Sequence, residues 1–84
     1  MNRVVNESID VIVKYKAATI DIIKFKRGNT EYTVTKAGKP WIERIGNNII
    51  THYNLICGGQ NISCEISHDH ILNKWLLVQF DILE

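Results

Sequence analysis

Apolar and polar residues alternate with a period of two along most of this chain. Ile9, Val11, Val13 and Tyr15 alternate with Asp10, Ile12 and Lys14. Residues 8–15 therefore read as a half-buried strand, and their β-branched side chains suit a pleated surface.

The clearest hairpin is centred on Gly28-Asn29, two residues that both accept positive φ. A two-residue turn there pairs Lys26 with Glu31, Phe25 with Tyr32, Ile23 with Val34 and Asp21 with Lys36. Opposite charges meet and apolar side chains meet, each pair contributing about 0.2–1 kcal/mol. A slip of one residue breaks every one of these pairs.

Residues 37–40, Ala-Gly-Lys-Pro, read as a loop and residues 41–45 as a short strand. Gly46-Asn47-Asn48 then reads as a three-residue turn that pairs Ile45 with Ile49, Glu43 with Thr51 and Trp41 with Tyr53. The next strand, 49–57, runs into Gly58-Gly59-Gln60-Asn61, a turn that pairs Cys57 with Ile62 and Leu55 with Cys64. Leu55, Cys57, Ile62, Cys64 and Ile66 then share one face, and Ser63, Glu65 and Ser67 face water. The alternation stops over residues 68–73, where Asp69 is placed to cap a single helical turn and Asn73 to end it. The last strand, 74–82, sets Leu76, Val78, Phe80 and Ile82 on one side and Trp75, Leu77 and Gln79 on the other. With apolar residues on both faces, it belongs in the interior of a sheet or the wall of a barrel.

These elements define an all-β domain spanning residues 1–84. The expected architecture is a small antiparallel barrel or strongly bent sheet of about six to seven short strands, because closure removes exposed edges. A two-sheet sandwich is the alternative.

Composition narrows the class. The chain has 84 residues, 45% of them hydrophobic, with five glycines and one proline, which excludes a disordered or low-complexity polymer. Asn6, Glu7 and Asp10 interrupt the start before any signal-like apolar stretch develops. The apolar run Trp75–Val78 is far shorter than a membrane span. A cytoplasmic protein with no membrane association is expected, and two cysteines are too few for a disulfide scaffold.

Net charge is +1, but residues 1–44 carry +4 and residues 45–84 carry −3. Lys14, Lys24, Lys26 and Arg27 lie on strands with interleaved aromatics, a combination that small barrels use to hold single-stranded nucleic acid. Lys26 and Lys36 already have acidic cross-strand neighbours, and lysine also guards sheet edges. A solvated basic face is therefore preferred, and nucleic-acid binding is the alternative function.

Other chemistry is sparse. Cys57, Cys64, His68 and His70 are zinc-ligand types, but their spacing lacks the close cysteine pair of fingers and ribbons. Both cysteines already fit the apolar face, so no metal is expected. Ser67, His68, Asp69 and His70 contain the types of a nucleophile and its base, yet neighbours on a strand point to opposite faces. His52 reads as a surface or edge histidine. Gly58-Gly59 opens no phosphate-binding motif. No catalytic residues, cofactor or small-molecule substrate are identified, and a non-enzymatic protein is expected.

Ile12, Ile22, Ile42, Ile50 and Ile56 fall opposite their strands' main apolar positions. Exposed together, they would make a patch that monomers seldom carry. The preferred function is accordingly a small binding or assembly module acting through protein–protein contacts, with self-association included.

The order of features resembles a group of short bacterial domains of unknown function. The matching stretches are Ile9 to Val13, Gly28 to Val34, Trp41, Tyr53 to Ile66, Asp69, and Trp75 to Leu77. The hairpin lengths differ from that pattern, and the arginine-rich insertion of some members is missing. The resemblance implies a cytoplasmic bacterial β-domain without catalytic residues.

Overall fold

Strand follows strand with little between them. A computed structural model describes residues 3–83, with strands β1 (Arg3–Ser8), β2 (Asp10–Lys16), β3 (Thr19–Arg27), β4 (Thr30–Thr33), β5 (Lys36–Ala37), β6 (Trp41–Ile45), β7 (Asn48–Cys57), β8 (Ile62–Asp69) and β9 (Lys74–Ile82). The only helical turn among the described residues is a 3-10 turn at Gly58–Gln60. Among the described residues no helix is long and apolar enough to cross a membrane.

The strands form two antiparallel sheets and do not close into a barrel. The larger sheet has the order β1-β9-β8-β7, and the far edge of β7 is shared by β5 and β6. The smaller sheet has the order β2-β3-β4. The chain crosses between them twice, through Ile9 after β1 and through Val34-Thr35 after β4. At the second crossing the Thr35 N–H donates to the Ile56 carbonyl at 2.8 Å, and its Oγ1 donates to the same oxygen at 3.0 Å. That crossing is why the barrel fails. β4 stops after four residues, and the next strand hydrogen-bonds to the opposite sheet.

The sheets face each other across one core. Ile22 and Phe25 come from the smaller sheet, Tyr53, Leu55, Cys57, Ile62, Cys64, Ile66 and Leu77 from the larger, and Ile9 from the crossing. Phe25, Leu55, Ile66 and Leu77 are at most 1% exposed, and each such side chain contributes about 1.5–3 kcal/mol of hydrophobic burial. Phe25 stacks on Tyr32 with centroids 5.0 Å apart.

Three register shifts break the strict alternation among the described residues, one between Val4 and Glu7 of β1 against β9 and two that rearrange the core-facing side chains. Between β2 and β3, Ile12 pairs with Lys24 but Val13 with Ile22, leaving Ile23 as the extra residue. Ile22 and Phe25, three apart, therefore both reach the core, and Ile23 is 40% exposed. Between β8 and β9, Glu65 pairs with Gln79 but Ile66 with Leu77, leaving Val78 as the extra residue. Leu77 and Phe80 then share the core side, so the expected grouping of Leu76, Val78, Phe80 and Ile82 is not formed. β9 does lie inside its sheet, paired on both edges.

The Gly28-Asn29 hairpin has the expected register at its tip, with Phe25 opposite Tyr32 and Lys26 opposite Glu31. The Val34 N–H donates to the Ile23 carbonyl at 3.0 Å. The pairing of Asp21 with Lys36 does not form. Lys36 has crossed to Ile56, and Asp21 pairs with Lys16 at 3.2 Å. The β7–β8 hairpin also has the expected register, Cys57 with Ile62 and Leu55 with Cys64. At 68–73 Asp69 accepts from the N–H groups of Ile71 and Leu72 at 3.0 Å each, and Asn73 ends the turn at φ 50°. The capping is as expected, but the turn is not a helix, and β8 itself runs on to Asp69.

The β6–β7 hairpin differs from expectation by one residue. Its turn is the two residues Gly46-Asn47, with Gly46 at φ 59°. Ile45 pairs with Asn48, Glu43 with Ile50 and Trp41 with His52. A one-residue slip moves every side chain to the other face. Trp41 and Glu43 thus leave the core side and stand on the outer face of the larger sheet.

Candidate functional site

That outer face carries a line of polar side chains crossing four strands. Glu43 on β6, His52 on β7, Glu65 on β8 and Gln79 on β9 are joined end to end. His52 Nε2 lies 3.0 Å from Glu43 Oε1, and its Nδ1 lies 3.0 Å from Glu65 Oε2. Gln79 Nε2 donates to Glu65 Oε1 at 2.9 Å. The His52 and Glu65 side chains are only 13% and 15% exposed. Trp41 stacks on the imidazole, centroids 5.1 Å apart and planes 9° apart. The His52–Glu65 and Glu65–Gln79 hydrogen bonds are partly buried, where such bonds are stronger than in open water, while Glu43 at the outer end is 52% exposed. The ladder therefore fastens edge strand β6 to the middle of the sheet.

The expectation of an ordinary surface histidine is corrected by this arrangement. It was hidden in the sequence because it depends on the β6–β7 register. Ser67 pairs directly with His52 but is 6% exposed rather than facing water, and Ser63 and Glu65 are half-buried. With both imidazole nitrogens facing carboxylates, His52 has no free nitrogen to act as a base on Ser67.

Above the ladder the sheet is hollowed into a cleft of about 360 Å³. Lys36, Asn54, Ile56, Ser63, Glu65 and Gln79 line it. Below the cleft, β6 forms an open edge. All five of its residues are exposed, and Trp41, Ile42 and Ile45 are 41%, 61% and 56% accessible.

The zinc-type residues do not converge. Cys57 and Cys64 are both buried in the core as free thiols. A hydrogen bond with Cys57, together with burial, pushes the Cys64 thiol up, so it resists becoming a thiolate. His68 stacks on Trp75, centroids 4.1 Å apart, and its Nε2 meets Asn73 Oδ1 at 3.0 Å. His70 Nε2 lies 2.8 Å from Thr51 Oγ1. No group of three or more metal-ligand residues gathers among the described residues. Asp69 is occupied by its turn and by Asn48 Nδ2 at 3.0 Å. The Leu72 N–H and Asn48 hold its carboxyl below the usual range. Ser67, His68, Asp69 and His70 therefore assemble no nucleophile and base.

The basic candidates lie on the smaller sheet among acids. Lys24 pairs with Glu31 at 3.2 Å. Arg27 makes a two-pronged pair with Glu7 of the larger sheet, at 2.7 and 3.0 Å, and lies over the Phe80 ring. Lys14 stands opposite Asp21 and Lys26 opposite Asp10. The isoleucines do not gather either. Ile22 is buried, Ile50 and Ile56 are half-buried on the outer face, and only Ile12 and Ile42 are well exposed, on different sheets.

No protein-family model, curated protein or solved structure matches the chain.

Proposed function

We propose that this protein is a non-enzymatic assembly module that pairs its β6 edge with β6 of a second copy. The observation that carries this reading is the edge itself: five exposed residues, an outer side without a partner strand among the described residues, and three large accessible apolar side chains. Open, apolar strand edges are templates for strand addition. In a two-residue hairpin the bonding alternates, so Ile45, Glu43 and Trp41 bond inward while Ile42 and Arg44 present their backbone groups outward.

A two-fold axis through the sheet keeps each face on its own side, so one residue must meet its own copy. At Glu43 or Arg44 like charges would meet, which is destabilising. At Ile42 apolar meets apolar, Trp41 meets Glu43, and Arg44 meets Pro40. This register forms about four backbone hydrogen bonds. It asks nothing of the missing N–H of Pro40, whose carbonyl receives the Arg44 N–H. The ladder supports the pairing by holding β6 in place before association.

Size-exclusion chromatography with light scattering tests the reading. A dimer is expected at high micromolar concentration, and Ile42→Pro is expected to be a folded monomer. Proline is tolerated at an edge position whose N–H faces out, yet it removes that donor. A wild-type monomer at high concentration, or an undiminished Ile42→Pro dimer, overturns the proposal.

A further inference from the structure

The ladder asks more of His52 than a neutral imidazole can give. Its Nε2 lies 3.0 Å from Glu43 Oε1, and its Nδ1 lies 3.0 Å from Glu65 Oε2. An ionised carboxylate only accepts hydrogen bonds, whereas a neutral imidazole donates from one nitrogen and accepts at the other. Both contacts are hydrogen bonds only when both ring nitrogens carry a proton. In a neutral ring, one nitrogen would turn a lone pair towards a carboxylate at the same distance.

The groups around the ring favour the charged form. Glu43 and Glu65 are the charged side chains that face it. Trp41 on β6, Ile50 and Asn54 along β7, and Ser67 on β8 are uncharged. Trp41 stacks on the imidazole at 5.1 Å, and an aromatic face attracts a cation held over it. The two ends of the ring differ. Glu65 is largely buried, and Gln79 Nε2 holds its other oxygen at 2.9 Å. Glu43 is exposed and able to turn out to water. A neutral His52 therefore keeps its N–H for Glu65 and gives up Glu43, the residue through which the ladder reaches β6.

We infer that the second proton on His52 is a switch on the β6 edge. With it, Glu43 is tied across the sheet and β6 is held ready for pairing. Without it, Glu43 lets go and the edge loosens. Imidazole charge ordinarily changes between about pH 5 and 8, so the edge is firmer on the acid side of that interval. The consequence for association rests on β6 self-pairing, whereas the tie itself lies within one chain.

Nitrogen-15 NMR of the His52 ring tests the tie. Both nitrogens are expected to carry protons near pH 5. Protection of the Glu43 and Ile45 amides, corrected for the ordinary pH dependence of exchange, should fall about tenfold between about pH 5 and 8, as expected for losing one charge-assisted hydrogen bond. Protection in β4 should stay level. Glu43→Gln is the discriminating variant, because an amide accepts from the charged ring and donates to the neutral one. Its β6 protection should be the same at both ends of the interval. Light scattering should show wild-type pairing weakening by a similar factor as pH rises. A single ring N–H on His52 near pH 5, level β6 protection in the wild type, or a pH response kept by Glu43→Gln each overturn the switch. A pH-sensitive β6 in a chain that stays monomeric upholds the switch and overturns the self-pairing instead.

Discussion

The β3–β4 and β6–β7 hairpins have turns of similar composition, Gly28-Asn29 and Gly46-Asn47, each with its glycine at φ near 60°. They put their side chains to opposite uses. In the first, Phe25 is 1% exposed and stacks on Tyr32, so the hairpin is held by the core. In the second, every residue of β6 is exposed, and attachment comes from backbone bonds and from the Glu43–His52–Glu65 ladder. β4 is an edge strand too, but it carries no large accessible apolar side chain and its Glu31 carbonyl is already taken by the Gln60 side chain. A strand fixed by polar contacts on one side keeps its other edge available.

The contrast can be broken from either end. Phe25→Ala should have the largest effect, a loss of about 3–5 kcal/mol, read by chemical denaturation. Trp41→Ala, at the matching place in the other hairpin, should cost only about 1 kcal/mol, since it removes a half-exposed stack. A comparable loss for both would erase the difference between the hairpins.

His52→Ala should fall between these two. It leaves Glu65 partly buried without its imidazole partner, which costs about 1–3 kcal/mol. Hydrogen exchange should accelerate in β6 but not in β4. Equal acceleration in both strands would show that the ladder does not fasten the edge.

The smallest effect should come with acid. Arg27 holds the Glu7 carboxyl below its usual range, and the Leu72 N–H with Asn48 does the same for Asp69. Both groups are more acidic in the folded chain. Their contribution is complete above the ordinary carboxylate range, near pH 4, and is lost as pH falls through the lowered folded values. The protection of the Ile71 and Leu72 amides against exchange should therefore fall only below that range, ahead of that of Leu55 and Ile66. Onset at neutral pH would contradict the assigned partners.

The sequence made the β3–β4 register legible because turn type, charge pairing and aromatic pairing all agreed on it. It left β6–β7 ambiguous because Trp41, Ile42 and Ile45 place apolar groups on both faces of β6. Hydrophobic pattern then cannot choose between a turn of Gly46-Asn47 and one that includes Asn48. The ladder was unreadable for the same reason, since only one of the two registers brings Trp41 and Glu43 to His52. The bulges at Ile23 and Val78 depend on what the opposite sheet must fill, so Phe80 was assigned to the wrong companions. The barrel was a local inference about a long-range choice, decided where Thr35 carries Lys36 away from Asp21 and onto β7.

The ladder and the open edge both depend on which residues face each other across β6 and β7. Backbone proton–proton contacts from NMR read this directly. Contacts placing Trp41 opposite His52 and Glu43 opposite Ile50 are predicted. Contacts placing Trp41 opposite Tyr53 and Ile45 opposite Ile49 would return Trp41 to the core side and dismantle both the ladder and the edge.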